Sequence, residues 1–215
     1  MVNTSNKPGR RREQRRAIET KTALIDAAIH DFSRYGFDGA GTRSICKRAG
    51  VNSALITHHY GSKEALWKAC AEHLVSGIEQ RLREAGFFGV DPRPVIDPTN
   101  VLKTFIRVSV SYFAERPQFF EFMIEANRSG GKRLEWLTER NRHSRDDWVW
   151  LMTACQTCSQ LRAGNAEDLL FLYIGAACSI FSLHRDYQNL TGESPFDEAV
   201  IERHTKLLID LLVAP

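Results

Sequence analysis

Residues 35–66 read YGFDGAGTRSICKRAGVNSALITHHYGSKEAL, and their spacing predicts two short helices joined by a tight turn. The first helix carries Ile45 and Ala49 inward and breaks at Gly50. A turn of so few residues between crossed helices needs one position of positive φ, which glycine accepts without a Cβ clash. Ala49 is small, so the two helix axes can approach closely, and Val51 supplies an apolar plug after the turn. The second helix starts near Asn52 or Ser53, either of which can cap it by accepting a backbone N–H. It ends at Gly61, and Ile45, Ala49, Val51 and Ile56 form the shared apolar face. An Ala-Gly-Val triplet alone also suits an ordinary helical hairpin, so the flanking residues decide. When two crossed helices form a helix-turn-helix, the second can lie in the major groove of DNA.

After Tyr60 the chain continues Gly-Ser-Lys-Glu-Ala-Leu. Ser62 is placed to cap the helix that follows, and Glu64 falls in its first turn, where the macrodipole favours an anion. Taken together, Tyr35-Gly36-Phe37, Ile45, Ala49-Gly50-Val51, His59-Tyr60 and Ser62-Lys63-Glu64-x-Leu66 stand in the order and register of one family. The stretch resembles the N-terminal domain of TetR-family transcriptional regulators. It departs from that pattern at three positions. Gly41 stands where the family has a capping Ser or Thr, a role that Thr42 can take. Cys46 replaces Ala. Thr57 replaces the frequent phosphate-binding Tyr and has a shorter reach. By motif the resemblance covers about the first third of the chain, and by length and helical layout the remainder.

The resemblance implies an all-α fold of about nine helices. An N-terminal three-helix helix-turn-helix DNA-binding domain precedes a C-terminal helical ligand-binding and dimerisation domain. The boundaries expected are a flexible basic arm over 1–13, the DNA-binding domain over 14–66 and the ligand-binding and dimerisation domain over 67–215. The function implied is a ligand-responsive, sequence-specific regulator, a repressor that a small-molecule effector releases from a palindromic operator. The partners implied are double-stranded operator DNA, a second copy of the chain and an effector, with no membrane and no cofactor.

Composition agrees with this. The chain has 215 residues, 43% of them hydrophobic, which suffices for a core. Five cysteines without a disulfide framework suit a reducing, cytoplasmic setting. The basic N-terminus, MVNTSNKPGRRREQRR, has no apolar segment of the signal-peptide kind. Net charge is +3, unevenly spread: residues 1–86 hold 15 Lys and Arg against 9 Asp and Glu, or +6, which leaves −3 for the rest. A basic front fits one nucleic-acid face, and the run Arg10-Arg11-Arg12 with Arg15-Arg16 fits an arm that contacts phosphates or the minor groove.

Periodicity predicts a first helix from about Glu13 to Tyr35, stopped by Gly36. A fourth runs from Ser62 to about Ala85 and joins head to body. The stretch GFFGVDPRPVIDPTN is a break, with Phe87 and Phe88 packing back on the core. Helices follow from about Thr99 to Glu115, from Pro117 to about Asn127, and from Lys132 to Ala163 as one long element. An eighth, capped by Asn165, is apolar almost all round, so it is buried on more than one side. The last opens on Ser194-Pro195-Phe196-Asp197, with Pro in the first helical position.

By position in the resembling motif, Arg43 and Ser53 are candidates for base edges, with Ala54 and Leu55 beside them. Thr42, Thr57, His58, His59 and Lys63 are candidates for phosphate, while Tyr60 belongs to the core. Arginine suits guanine because its fork can bond O6 and N7 together. Candidate effector-pocket residues are Phe105, Phe113, Phe120, Met123, Trp136, Trp148, Met152 and Phe171, which suit a flat or largely apolar molecule. Candidate dimer residues are Ile174, Ala177, Phe181, Val200, His204, Leu207, Leu208 and Leu211, since the family pairs its last two helices with their copies. Cys155-Gln-Thr-Cys158 has redox and zinc spacing and opens an alternative, a redox-sensing regulator. It lies in a predicted helix with no second pair. With no nucleotide loop, nucleophile elbow or H-E-x-x-H helix in the sequence, neither an enzyme nor a metal site is expected.

Overall fold

Gly50 adopts the left-handed conformation, φ 68 and ψ 29, which ends one helix and lets the next begin within a few residues. It does so in a computed structural model that describes residues 8–52, 54–87, 97–158 and 161–213. Eleven helices are present among the described residues: α1 (Pro8–Gly39), α2 (Thr42–Ala49), α3 (Ala54–Tyr60), α4 (Lys63–Glu84), α5 (Pro98–Glu115), α6 (Gln118–Ser129), α7 (Gly131–Arg140), α8 (Arg142–Thr157), α9 (Ala166–Ser182), α10 (His184–Thr191) and α11 (Glu198–Leu212). The only β pairing among them is an isolated antiparallel bridge between Leu161 and Val213. No single helix among these residues is long and apolar enough to cross a membrane. The chain divides into two compact units, Met1–His73 and Leu74–Pro215.

In the first unit α1 contributes Leu24, Ala28 and Phe32 to the interior, α2 contributes Ile45, and α3 contributes Ile56, while Leu66 and Cys70 come from the start of α4; all are buried. The Cys70 thiol donates to the Ile25 carbonyl at 3.8 Å. Burial, with the Asp26 charge adding to it, pushes that thiol's pKa well up. Residues 8–13, expected in the arm, are helical and extend α1 at its start. Residues 1–7 of that arm lie outside the described residues. At the other end the helix is interrupted where expected, at Gly36 (φ 71, ψ 175), although one more turn follows before Gly39.

In the second unit the core is built from α5, α8, α9 and α11, with Leu102, Ile106, Trp148, Leu151, Tyr173, Ala177 and Leu208 among its buried members. Two caps read from the sequence are in place. The Ser62 hydroxyl accepts from the Ala65 N–H at 3.0 Å, and the Asn165 side chain accepts from the Asp168 N–H at 2.9 Å. Other expectations are corrected. The helix count exceeds nine because the single element expected over Lys132 to Ala163 is two helices with a break at Asn141, and because α10 intervenes before the last helix. Residues on both sides of the break bind one carboxylate. Arg140, just before it, forms an ion pair with Glu79 of α4 at 2.9 Å, and Ser144, just after it, donates to the same carboxylate at 2.7 Å. Pro117 sits at the cap and α6 starts at Gln118. Asp197 caps α11, so Pro195 belongs to the preceding turn. Phe87 does pack on the core and meets the Phe105 ring at 5.0 Å. Phe88 lies outside the described residues.

Gly77 of α4 faces Tyr112 of α5. A Cβ there would stand 2.7 Å from the Tyr112 hydroxyl oxygen and 3.1 Å from its ring. That hydroxyl donates to the Leu74 carbonyl at 2.6 Å, and Tyr112 is buried. The Arg81 guanidinium lies over the same ring at 5.3 Å and pairs with Glu115. Gly77→Ala gains about 1 kcal/mol of helix propensity. It also displaces a packed, hydrogen-bonded ring, at about 1–3 kcal/mol for overpacking and about 1–3 kcal/mol for the stranded polar groups. The expected net loss is about 1–5 kcal/mol in chemical denaturation. In a Tyr112→Phe background, which removes the nearest atom, the penalty should shrink.

Candidate nucleic-acid interface

α2 is held on α1 by a polar cluster that the sequence reading missed. Asp31, on α1, is wholly buried (0% exposed). Its carboxylate accepts from the Ser44 hydroxyl at 2.5 Å, from Arg48 Nε at 2.9 Å and from His30 Nδ1 at 3.1 Å. Burial pulls the Asp31 pKa upward, but the bonds from Ser44, His30 and Arg48 outweigh it and hold the carboxyl below its ordinary value. An aspartate beside the inward stripe of Leu24, Ala28 and Phe32, 13 and 17 residues from Ser44 and Arg48, was the available signal. Helical periodicity alone does not couple positions so far apart.

With Ser44 and Arg48 turned to α1 and Ile45 and Cys46 buried, Arg43 and Lys47 are left exposed on one face of α2, four residues apart. Thr42 is half-buried at the first helical position. The cap is Gly41, extended at φ −85 and ψ 134, and no side chain bonds there, so Thr42 does not take over the capping role. Beyond Gly50, the Asn52 side chain accepts from the Ala54 N–H at 2.9 Å and opens α3. Ser53 lies outside the described residues. On α3 the exposed side chains are Ala54, Thr57 and His58, spaced three and four apart, while Ile56 points inward and Leu55 is half-buried. The structure thus gives the second helix of the motif one short exposed face.

The two histidines differ. His58 is exposed and His59 half-buried, with ring centroids 4.9 Å apart. Burial, with His58 and Lys21 adding like charge, lowers the His59 pKa. Tyr60, expected in the core, is only half-buried, and its hydroxyl donates to the Lys21 carbonyl at 3.5 Å. Lys63 reaches back to the Asp38 carbonyl at 3.4 Å and lies over the Phe37 ring at 4.7 Å. In this state its amine ties the start of α4 to the end of α1.

In the second unit, Phe113, Trp148 and Met152 are buried in the core, and Phe105, Phe120, Met123 and Trp136 are half-buried. Phe105 meets Trp148 at 4.3 Å and Tyr173 at 5.7 Å, and Trp148 stacks on Tyr173 at 5.0 Å. Phe171 does not join them. It is 71% exposed, on the far side of α9, which excludes it from an interior pocket.

Among the candidate dimer residues, Ala177, Phe181, Val200 and Leu208 are buried within their own unit and are therefore unavailable to a partner. Ile174 and His204 are half-buried, and His204 meets the Phe181 ring edge-on at 6.1 Å. Burial lowers the His204 pKa against the opposing pull of the Ala177 and Ala176 backbone. The apolar groups left to solvent on these two helices are Phe171 and Leu172 (68%) of α9, and Leu207 (54%) and Leu211 (51%) of α11.

The two thiols of the C-x-x-C pair sit in different surroundings, which gives the redox alternative no support. Cys155 is buried and its thiol donates to the Pro98 carbonyl at 3.4 Å, while Cys158 is exposed just beyond the end of α8. Burial, with Cys158 and Asp97 adding to it, raises the Cys155 pKa to about 11, so the reactive thiolate is suppressed.

Residues 24–70 match the family model for bacterial regulatory proteins of the tetR family. The chain is similar to the HTH-type transcriptional regulatory protein RaaS of Mycobacterium tuberculosis, 32% identical over 54% of this chain and 49% of that protein. It is also similar to the HTH-type transcriptional dual regulator CecR of Shigella flexneri, 40% identical over 35% of each. The matches thus span about half or less of these relatives' lengths. Among solved structures, a Clostridium perfringens protein described as a fatty acid metabolism regulator superposes with a TM-score of 0.68 at 18% identity, over 90% of this chain and all of that one. A variant of HlyIIR superposes with a TM-score of 0.66 at 18% identity, over 93% of this chain and all of that one. At these identities the superpositions speak for the fold.

Proposed function

Because the chain belongs to the TetR family of bacterial regulatory proteins, we propose that it is a sequence-specific DNA-binding regulator that works as a homodimer, a repressor that a small-molecule effector releases from a palindromic operator. The observation that carries this is the exposed face made by Arg43 and Lys47 on α2 with Ala54, Thr57 and His58 on α3, behind which Ile45 and Ile56 are buried. Arg43 and Ser53 read base edges, with Ala54 and Leu55 beside them. Thr42, Thr57, His58 and His59 bind phosphate, which positions the protein without specifying sequence. Lys63 joins them by exchanging the Asp38 carbonyl for a phosphate oxygen.

A second copy provides the operator's symmetry. Phe171, Leu172, Leu207 and Leu211 are large apolar side chains exposed on α9 and α11, and a partner's same face covers them isologously. Two heads related by a twofold axis then read half-sites one helical turn apart, or a multiple of it, at about 34–36 Å per turn.

Effector control follows from α4, which starts in the first unit and ends in the second. Its later part is held by Tyr112, Glu115, Arg140 and Ser144. A ligand that binds the second unit better when these partners have shifted moves α4, and it acts only through that differential affinity.

The test is a titration of the purified chain against DNA flanking its own gene, with unrelated DNA as competitor, at two salt concentrations. Specific binding should survive the competitor, and Arg43→Ala should weaken it about ten- to a hundredfold, the loss of one bidentate guanine contact. Binding that the competitor removes and salt erases would overturn the assignment for this DNA face.

A further inference from the structure

Tyr60 ends α3, and the bond from its hydroxyl to the Lys21 carbonyl sets the last turn of α3 against α1. Lys21 is thereby brought to His59, close enough for its charge to act on that imidazole. His58 stands edge-on to His59, with ring centroids 4.9 Å apart and planes at 64°. Lys21 and His58 are exposed and His59 is half-buried. Three basic side chains from two elements thus meet at the end of the exposed α3 face. The Tyr60 ring is 6.4 Å from His59, and burial raises its phenol, so it stays neutral. The exposed Arg43 and Lys47 of α2 are basic as well. At the start of α4, Lys63 is turned to the Asp38 carbonyl and the Phe37 ring. The carboxylates of these elements are engaged elsewhere: Glu19 with Arg15, Asp31 with α2, and Glu64 with Lys68, while Asp26 acts on the Cys70 thiol.

We infer that Lys21, His58 and His59 hold one DNA phosphate, and that His59 takes up a proton as the phosphate arrives, so that affinity for DNA falls as pH rises. This rests on the DNA-binding reading above. With the site empty, a proton on His59 meets like charge from His58 and Lys21, and burial of the ring adds to the cost. With a phosphate in the site, the opposite charge favours the imidazolium. The proton is therefore held more tightly in the complex than in the free protein, and linkage fixes the sign: binding takes up protons and strengthens as pH falls. The window opens below the ordinary imidazole value of about 6.5, where free His59 titrates, and closes at the higher value of the filled site. Within it the affinity changes at most about tenfold per pH unit for each head, the effect of one proton. Below it both states carry the proton and the affinity levels off.

The probe is duplex DNA of arbitrary sequence at low salt, because phosphates are the same in every sequence. Calorimetry near neutral pH, in two buffers of different ionisation enthalpy, counts the protons taken up by the full chain on binding. The wild type should take up about half to one proton per head, and its affinity should rise about three- to tenfold per head for each unit by which pH is lowered. His59→Gln keeps an N–H donor but cannot titrate. It should lose the uptake and flatten the pH profile, with the other six of the seven histidines unchanged. Lys21→Gln should weaken binding across the pH range and reduce the salt slope by about one per head. The inference is overturned if the wild type binds the duplex without taking up protons, or if His59→Gln takes up as many. Where a variant folds poorly, the wild type decides by NMR: the duplex should move the His59 ring C–H resonances toward the imidazolium position at neutral pH, and resonances that stay in place overturn the site. A chain that binds no duplex even at low salt overturns the DNA-binding reading as well, whereas binding without proton uptake overturns this inference alone.

Discussion

Replacing Leu207 and Leu211 together by glutamate is expected to turn a dimer into a monomer and to cut operator affinity about a hundredfold or more. Both side chains are half-exposed and four residues apart on α11, so they form one stripe. Phe171 and Leu172 of α9 are likewise exposed apolar side chains that the chain's own core does not cover. In an isologous dimer the stripe faces its own copy, and the double change sets four carboxylates in one buried patch. Unpaired buried charge is among the most unfavourable changes an interface can suffer. The monomer itself should fold normally, because these side chains are already hydrated in it. Operator affinity falls because two linked heads bind about 10²–10⁴ more tightly than either alone. Sedimentation velocity and a DNA titration, with circular dichroism as the folding control, measure all three. A double variant that still sediments as a dimer would sink the interface.

Asp31→Ala should cost about 2–3 kcal/mol of stability and weaken DNA binding with it. It removes a buried carboxylate that accepts three hydrogen bonds, two of them from α2. Hydrogen bonds to a charged group contribute about 1.5–3 kcal/mol each when gained against water. The loss stays below their sum, because Ser44 is exposed and Arg48 is 43% exposed, so both recover water once freed. α2 then loses the anchor that aims Arg43. The pH dependence has a definite sign. The Asp31 pKa is lower folded than unfolded. Its contribution is therefore complete above the unfolded carboxyl value of about 3.9 and is lost as pH falls through the lower folded value. The stability gap between wild type and Asp31→Ala should be constant near neutrality and should close in acid. A gap that widens on acidification would contradict the assignment of the charged form.

Local signals made the head legible. Gly50 and Gly61 both adopt positive φ, at 68 and 78. The caps at Ser62 and Asn165 bond to N–H groups three residues on, and such contacts are written into a few consecutive residues. The inward positions Ile45 and Ile56 followed from helical periodicity, because a 3.6-residue repeat needs no knowledge of the partner.

What lay beyond was decided by contacts distant in sequence. α9 is apolar almost all round, from which the sequence alone led to the expectation of cover on more than one side. It did not determine which side faces which neighbour. The tertiary structure turned Tyr173, Ala177 and Phe181 inward and left Phe171 and Leu172 outward, so Phe171 passes from pocket to surface and Ala177 and Phe181 from interface to core. The contacts of Arg140 and Ser144 with Glu79 were likewise invisible to periodicity, because Glu79 lies 61 and 65 residues away. The sequence by itself determined the helical class, the turn and the caps, because those depend on backbone angles and spacings within a few residues. Only the tertiary structure decided the outward faces, the Asp31 anchor and the meeting of Lys21 with the end of α3, because each is a property of which distant groups meet.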